Sequence, residues 1–63
     1  MRKHSKTTIG VDVGDRRSHF CVLDEGGEVV ERGDFRTTPV GLKRMLAGRS
    51  DVTVAFETGA HAL

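Results

Sequence analysis

Apolar residues in this chain come in short runs separated by glycine and charge. Thr7 to Val13 reads Thr-Thr-Ile-Gly-Val-Asp-Val, mostly β-branched and stopped by Gly14-Asp15, which predicts a buried first strand. Ser18 to Asp24 is a second apolar run, and Glu25-Gly26-Gly27 offers the positive φ angles of a tight hairpin turn. Glu28 to Phe35 returns as a third strand. Its Val29-Val30 start is apolar, whereas Glu31, Arg32 and Asp34 make the rest wet, the pattern of a sheet edge guarded by charge. These runs predict an antiparallel three-strand meander.

Thr38-Pro39 then signals a helix start, a capping hydroxyl followed by a proline at the first helical position. Leu42, Met45 and Leu46 fall at i, i+3 and i+4 on one apolar face, and Gly48 is placed to end the helix in a left-handed conformation. Asp51 leads into Val52-Thr53-Val54-Ala55-Phe56, a fourth strand that follows a helical crossover and can run parallel to an earlier one. The expected class is α/β in the order βββαβ, with a further helix starting near Gly59. Residues 1–6, Met1-Arg2-Lys3-His4-Ser5-Lys6, are polar and basic without periodicity and read as a flexible arm before a domain over 7–63.

Composition narrows this picture mainly by exclusion. A chain of 63 residues makes at most one small domain, and a domain of that size buries only roughly 60% of its unfolded surface. Cys21 is the single cysteine, so neither an intramolecular disulfide nor a paired-cysteine zinc site can be built, and a lone thiol suits a reducing cytoplasm. No apolar stretch approaches the ~20 residues that span a bilayer, and the start lacks a signal-peptide core, so a cytoplasmic protein with no membrane partner is expected. Ten basic against nine acidic side chains give a net charge of +1, too balanced to mark a nucleic-acid binder by electrostatics.

Two carboxylates carry the chemistry. Asp12 lies inside an apolar strand, where Ile9, Val11 and Val13 alternate with Gly10 and Asp12. One face is thereby apolar, and the other bears a carboxylate beside a glycine gap. A plain polar strand end is the alternative. Glu57 directly follows the fourth strand. If that strand pairs in parallel with the first, Asp12 and Glu57 emerge together at the carboxyl edge of the sheet, where open α/β sheets bind ligands. A hard divalent cation, Mg²⁺ or Mn²⁺, would relieve the repulsion between them through oxygen ligands, and two-metal phosphoryl transfer uses such a site.

Other polar residues have plainer readings. Asp15, Arg16 and Arg17 form a polar turn or a phosphate contact; His19 and Cys21 pack on the sheet; Lys43, Arg44 and Arg49 are the solvated face of the helix. Phe20, Phe35 and Phe56 are core candidates rather than a stacking platform for bases. His61, soon after Glu57, is either a local hydrogen-bonding residue or part of the site.

The ordered set Ile9-Gly10-Val11-Asp12-Val13-Gly14-Asp15, Ser18-His19-Phe20-Cys21-Val22-Leu23-Asp24, Gly27-Glu28-Val29-Val30, Arg36-Thr37-Thr38-Pro39 and Val54-Ala55-Phe56-Glu57-Thr58-Gly59-Ala60-His61 resembles the start of the DEDD-type insertion-sequence transposases. The resemblance covers nearly the whole chain after the basic arm. It implies the amino-terminal, truncated part of an RNase H-like (RuvC-like) catalytic domain, with Asp12 matching the first acidic residue of the tetrad and Glu57 the second. By that resemblance both are catalytic and metal-binding, Mg²⁺ is the cofactor, and DNA is the partner, cleaved and joined in transposition and DNA recombination. A structured guide RNA and self-association of the complete protein are further partners the resemblance implies. Ala60 stands where threonine is common and Ala62-Leu63 where Ser-Pro-Trp often follows, so no role is carried onto His61.

Two other functions fit parts of the same pattern. An actin-like or sugar-kinase ATPase lobe also begins Ile-Gly-x-Asp-x-Gly, yet Asp15-Arg16-Arg17 replaces the small residues that let backbone approach nucleotide phosphates. An inactive truncated remnant acting as an interaction module is the other. With two of four tetrad residues, the isolated polypeptide is expected to show little activity, because residues acting as a unit fail together.

Overall fold

A computed structural model describes residues 7–57. The elements are β1 (Thr7–Asp12), β2 (Arg17–Leu23), β3 (Val29–Arg36), α1 (Pro39–Leu46) and β4 (Val52–Glu57). They form a small α/β domain in which one mixed sheet has the order β3-β2-β1-β4. β1, β2 and β3 run as an antiparallel meander, and β4 returns through α1 to pair in parallel with β1. The βββαβ order expected from the hydrophobic pattern is thus the observed one, whereas the arm over 1–6, the helix near Gly59 and His61 lie outside the described residues.

Alternation along β1 divides the sheet into two unlike faces. Ile9 and Val11 are 0% and 2% exposed and join Val22 and Met45 in the core, with Leu42, Leu46, Val52 and Val54 packed around them. Burying side chains of this size stabilises by about 1.5–3 kcal/mol each relative to leaving them in water. α1 covers this face from the β3 side, with Met45 as its buried residue. Its start is as the sequence indicates: Thr38 Oγ1 accepts from the Gly41 amide at 2.9 Å, and Pro39 occupies the first turn. Its end is closed by Ala47 and by Gly48 at φ 78°.

The β2–β3 turn departs from expectation. Only Gly27 takes a positive φ, 86°; Asp24, assigned above to the second strand, instead builds the turn. Its Oδ1 accepts from the amides of Gly26 and Glu28 at 2.9 and 3.0 Å, and its carbonyl accepts from Gly27 at 2.9 Å. A carboxylate that ties its own following backbone in this way favours a turn over a strand.

Two side-chain expectations are also corrected. Phe56 is 54% exposed rather than core: it shares the covered face with Val11, but β4 is an edge strand and α1 leans toward β3 at the other edge. Phe20 and Phe35 do pack against the core, with ring centroids 6.2 Å apart. Arg49 is no solvated surface cation: it lies 5.5 Å over the Phe20 ring, donates through Nε to the Met45 carbonyl at 2.6 Å, and grips Glu31 with two bonds of 3.0 and 2.9 Å. The forked guanidinium geometry makes such a double contact possible. Hydrogen bonding to Arg49 holds the Glu31 carboxyl below its ordinary value.

Candidate functional site

The face away from α1 carries the polar residues in rows, because residues paired across neighbouring strands point the same way. One row reads Asp34, His19, Asp12, Glu57 across β3, β2, β1 and β4. The next reads Arg32, Cys21, Gly10, Ala55. The first is acidic with one imidazole; the second is small at its centre. Apart from Asp34 they line an open cleft of about 540 Å³, walled by Asp12, His19, Cys21, Arg32, Ala55 and Glu57.

Asp12 and Glu57 are partners in the parallel β1–β4 register, with backbones about 4.8 Å apart as in any sheet. The Val13 amide donates to the Glu57 carbonyl at 2.9 Å, so the ladder is tied on the far side of both carboxylates as well as before them. Both side chains are exposed, and each stands at the carboxyl end of its strand. The juxtaposition expected from the sequence is therefore present in the register. Two adjacent like charges destabilise a cross-strand pair by roughly 0.2–1 kcal/mol, and the fold keeps them together nonetheless.

The loop after β1 is tightly fixed. Gly14 donates its amide to Ser18 Oγ at 3.4 Å, and Ser18 Oγ lies 2.8 Å from Thr37 Oγ1. Ser18 is only 1% exposed, so these contacts satisfy a buried hydroxyl that would otherwise be costly. A Cβ at position 14 would collide with the Arg17 carbonyl oxygen, which is why the loop turns on glycine. Asp12 thus projects from a strand whose exit is held by its neighbours.

The donor set is two carboxylate oxygen groups with an imidazole one strand away. Hard cations such as Mg²⁺ take oxygen ligands of this kind. Among the described residues no three His, Cys, Asp or Glu side chains converge as a ligand cluster. His19 was assigned to sheet packing by its sequence; instead it is exposed and pairs with Asp12. The signal was available: strands ending at Val13 and restarting at Ser18 place Asp12 opposite His19 in an antiparallel hairpin. Cys21 is half-buried in the adjacent row, as a packing role implies. No helix among the described residues is long and apolar enough to cross a membrane.

No protein-family model matches the chain, and no curated protein or solved structure shows significant similarity to it.

Proposed function

We propose that this chain is the amino-terminal part of an RNase H-like catalytic domain of the DEDD transposase type, and that Asp12 and Glu57 bind Mg²⁺ for DNA strand cleavage and transfer. The observation that carries this reading is the pairing of Asp12 with Glu57 on adjacent parallel strands, at the carboxyl edge of the sheet and on its uncovered face. The ordered motifs around both residues support it, and so does the topology, in which a meander is followed by a crossover into a parallel strand.

In this reading the two carboxylates supply fixed negative oxygens that hold the cation against the DNA backbone. The bound ion would polarise the phosphoryl oxygen and favour an attacking hydroxyl or water. His19, next to Asp12, offers ring nitrogens that can hold or pass a proton at the open side of the row. Arg32, which lines the cleft, places a positive charge in the second row, next to the acidic one. By the transposase resemblance Asp12 and Glu57 are two of four acidic residues that act as a unit, so loss of either should abolish cleavage.

The test is a Mn²⁺ titration of the 63-residue chain followed by paramagnetic broadening of its amide signals. Broadening should centre on Asp12, His19 and Glu57 and disappear in Asp12→Asn and Glu57→Gln. Identical weak affinity in the wild type and both variants would remove the basis for the assignment. ATP binding by calorimetry would favour the kinase-lobe reading instead. Mg²⁺-dependent cleavage of supercoiled DNA, lost in Asp12→Ala, would support the chemistry directly.

A further inference from the structure

A second cluster of charge lies at the same end of the sheet, one row beyond the carboxylates. Arg17 and Arg36 are direct partners in the β2–β3 register, two residues along their strands from His19 and Asp34 and therefore on the same uncovered face. Like charges placed directly opposite destabilise a strand pair. The cost is only partly offset: Arg17 Nε lies 3.4 Å from Asp34 Oδ2, and among the described residues neither Arg36 nor Arg16 has an ion-pair partner.

Arg16, Arg17 and Arg36 are all exposed, and with Asp15, Thr37 and Thr38 they line a cleft of about 520 Å³. Its walls are knitted by backbone bonds, from the Thr37 amide to the Arg16 carbonyl at 2.9 Å and from the Thr38 amide to the Arg36 carbonyl at 2.7 Å. Thr38 Oγ1 already accepts from Gly41, so its hydroxyl proton remains available to donate outward. α1 begins directly after, at Pro39. Three arginines against two carboxylates, Asp15 in the cleft and Asp34 beside Arg17, leave a net positive cradle for a tetrahedral oxyanion, since guanidinium forks match phosphate oxygens.

We infer that Arg16, Arg17 and Arg36, with the Thr38 hydroxyl, form a phosphate subsite that grips the DNA backbone beside the Asp12–Glu57 pair. The identity of the ligand as a strand phosphate rests on the proposed DNA function; the cradle itself rests on the paired arginines. Two residues of strand separate Arg17 from the His19 row, about 7 Å, which suits a phosphate neighbouring the one held at the carboxylates. A DNA strand would then cross the open face from the arginine row to the acidic row. The subsite also accounts for the like-charge pair, because a bound dianion converts repulsion into two charge-assisted contacts.

The experiment measures binding of the 63-residue chain to a short DNA duplex in EDTA, where the carboxylate pair has no cation and cannot contribute through metal. Arg36→Ala and Arg16→Ala should each weaken binding roughly fivefold and lower the slope of log affinity against log salt by about one. Arg36→Lys should keep most of the slope. Circular dichroism should show Arg36→Ala folded with a melting temperature equal to or above the wild type, because repulsion with Arg17 is gone. Absent duplex binding in the wild type, or unchanged affinity and slope in both alanine variants, would overturn the subsite and leave the Mn²⁺ result at Asp12 and Glu57 standing. In a parallel arm, inorganic phosphate should shift the amides of Arg36, Thr37 and Thr38 in the wild type but not in Arg36→Ala. Phosphate shifts accompanied by full DNA affinity in the variants would assign the cradle to a free phosphate and overturn the strand contact.

Discussion

The two faces of one sheet differ in what their residues are for. On the covered face Ile9, Val11 and Val22 meet Met45 and exclude water. On the uncovered face, one residue further along the same strands, Gly10, Asp12, His19 and Cys21 leave an open cleft with charge at its edge. β1 serves both at once. Its alternation means that stability and chemistry are separable by substitution even between adjacent residues, because neighbouring side chains on a strand share a backbone but not an environment.

The strongest way to break this division is on the covered side. Ile9→Ala removes a fully buried side chain and should cost about 2–4 kcal/mol, a large fraction of what so small a domain possesses. Urea denaturation followed by circular dichroism should show the midpoint collapse or the chain unfolded without denaturant. An Ile9→Ala variant with a wild-type midpoint would mean that the two faces are not energetically distinct.

A smaller effect sharpens the picture at the sheet's other edge. Hydrogen bonding to Arg49 lowers the Glu31 carboxyl from its ordinary value of 4.5, so the folded state binds that proton less readily than the unfolded chain does. Stability from this contact is therefore complete above about pH 4.5 and lost as acidification carries the pH through the lower folded value. Melting curves of wild type and Glu31→Gln should differ at neutral pH and converge in acid. A difference that persists unchanged into acid would show that the ion pair is not its source.

The smallest shift should have the opposite sign. Asp12→Asn removes one of two neighbouring negative charges, and at low salt without metal it should raise stability by a few tenths of a kcal/mol. Thermal melts at several salt concentrations would detect this, with the gain fading as salt screens the pair. A marked loss of stability would mean that Asp12 holds the fold together, and the uncovered face would no longer be free for chemistry.

Much of this arrangement was readable beforehand because hydrophobic period, proline and glycine act locally. The alternation of Ile9, Val11 and Val13 with Asp12 fixed the buried face of β1, and Thr38-Pro39 marked the start of α1. The pairing of Asp12 with Glu57 followed from one topological assumption, that a strand reached through a helix lies parallel to the first. What escaped was set by lateral position. Nothing in Phe56 itself reveals that α1 sits toward β3 and leaves it half in water. The grip of Arg49 on Glu31 and Phe20 needs the helix exit and the β3 edge to meet, a distance the sequence does not state. Asp24 could have been assigned to its turn, since a carboxylate before Glu-Gly-Gly commonly ties its following amides.

The parallel pairing of β1 with β4 also has a consequence in time. Asp12 belongs to a hairpin that local contacts can assemble early, whereas Glu57 arrives only when the chain closes the long loop through α1, an entropically slower event. Before that closure the acidic pair does not exist. A cation bridging it would act as a late clasp on the outermost strand, drawing the crossover shut and leaving the meander indifferent. Hydrogen exchange should then slow in β4 first when such an ion is added, with β2 and β3 the last to notice.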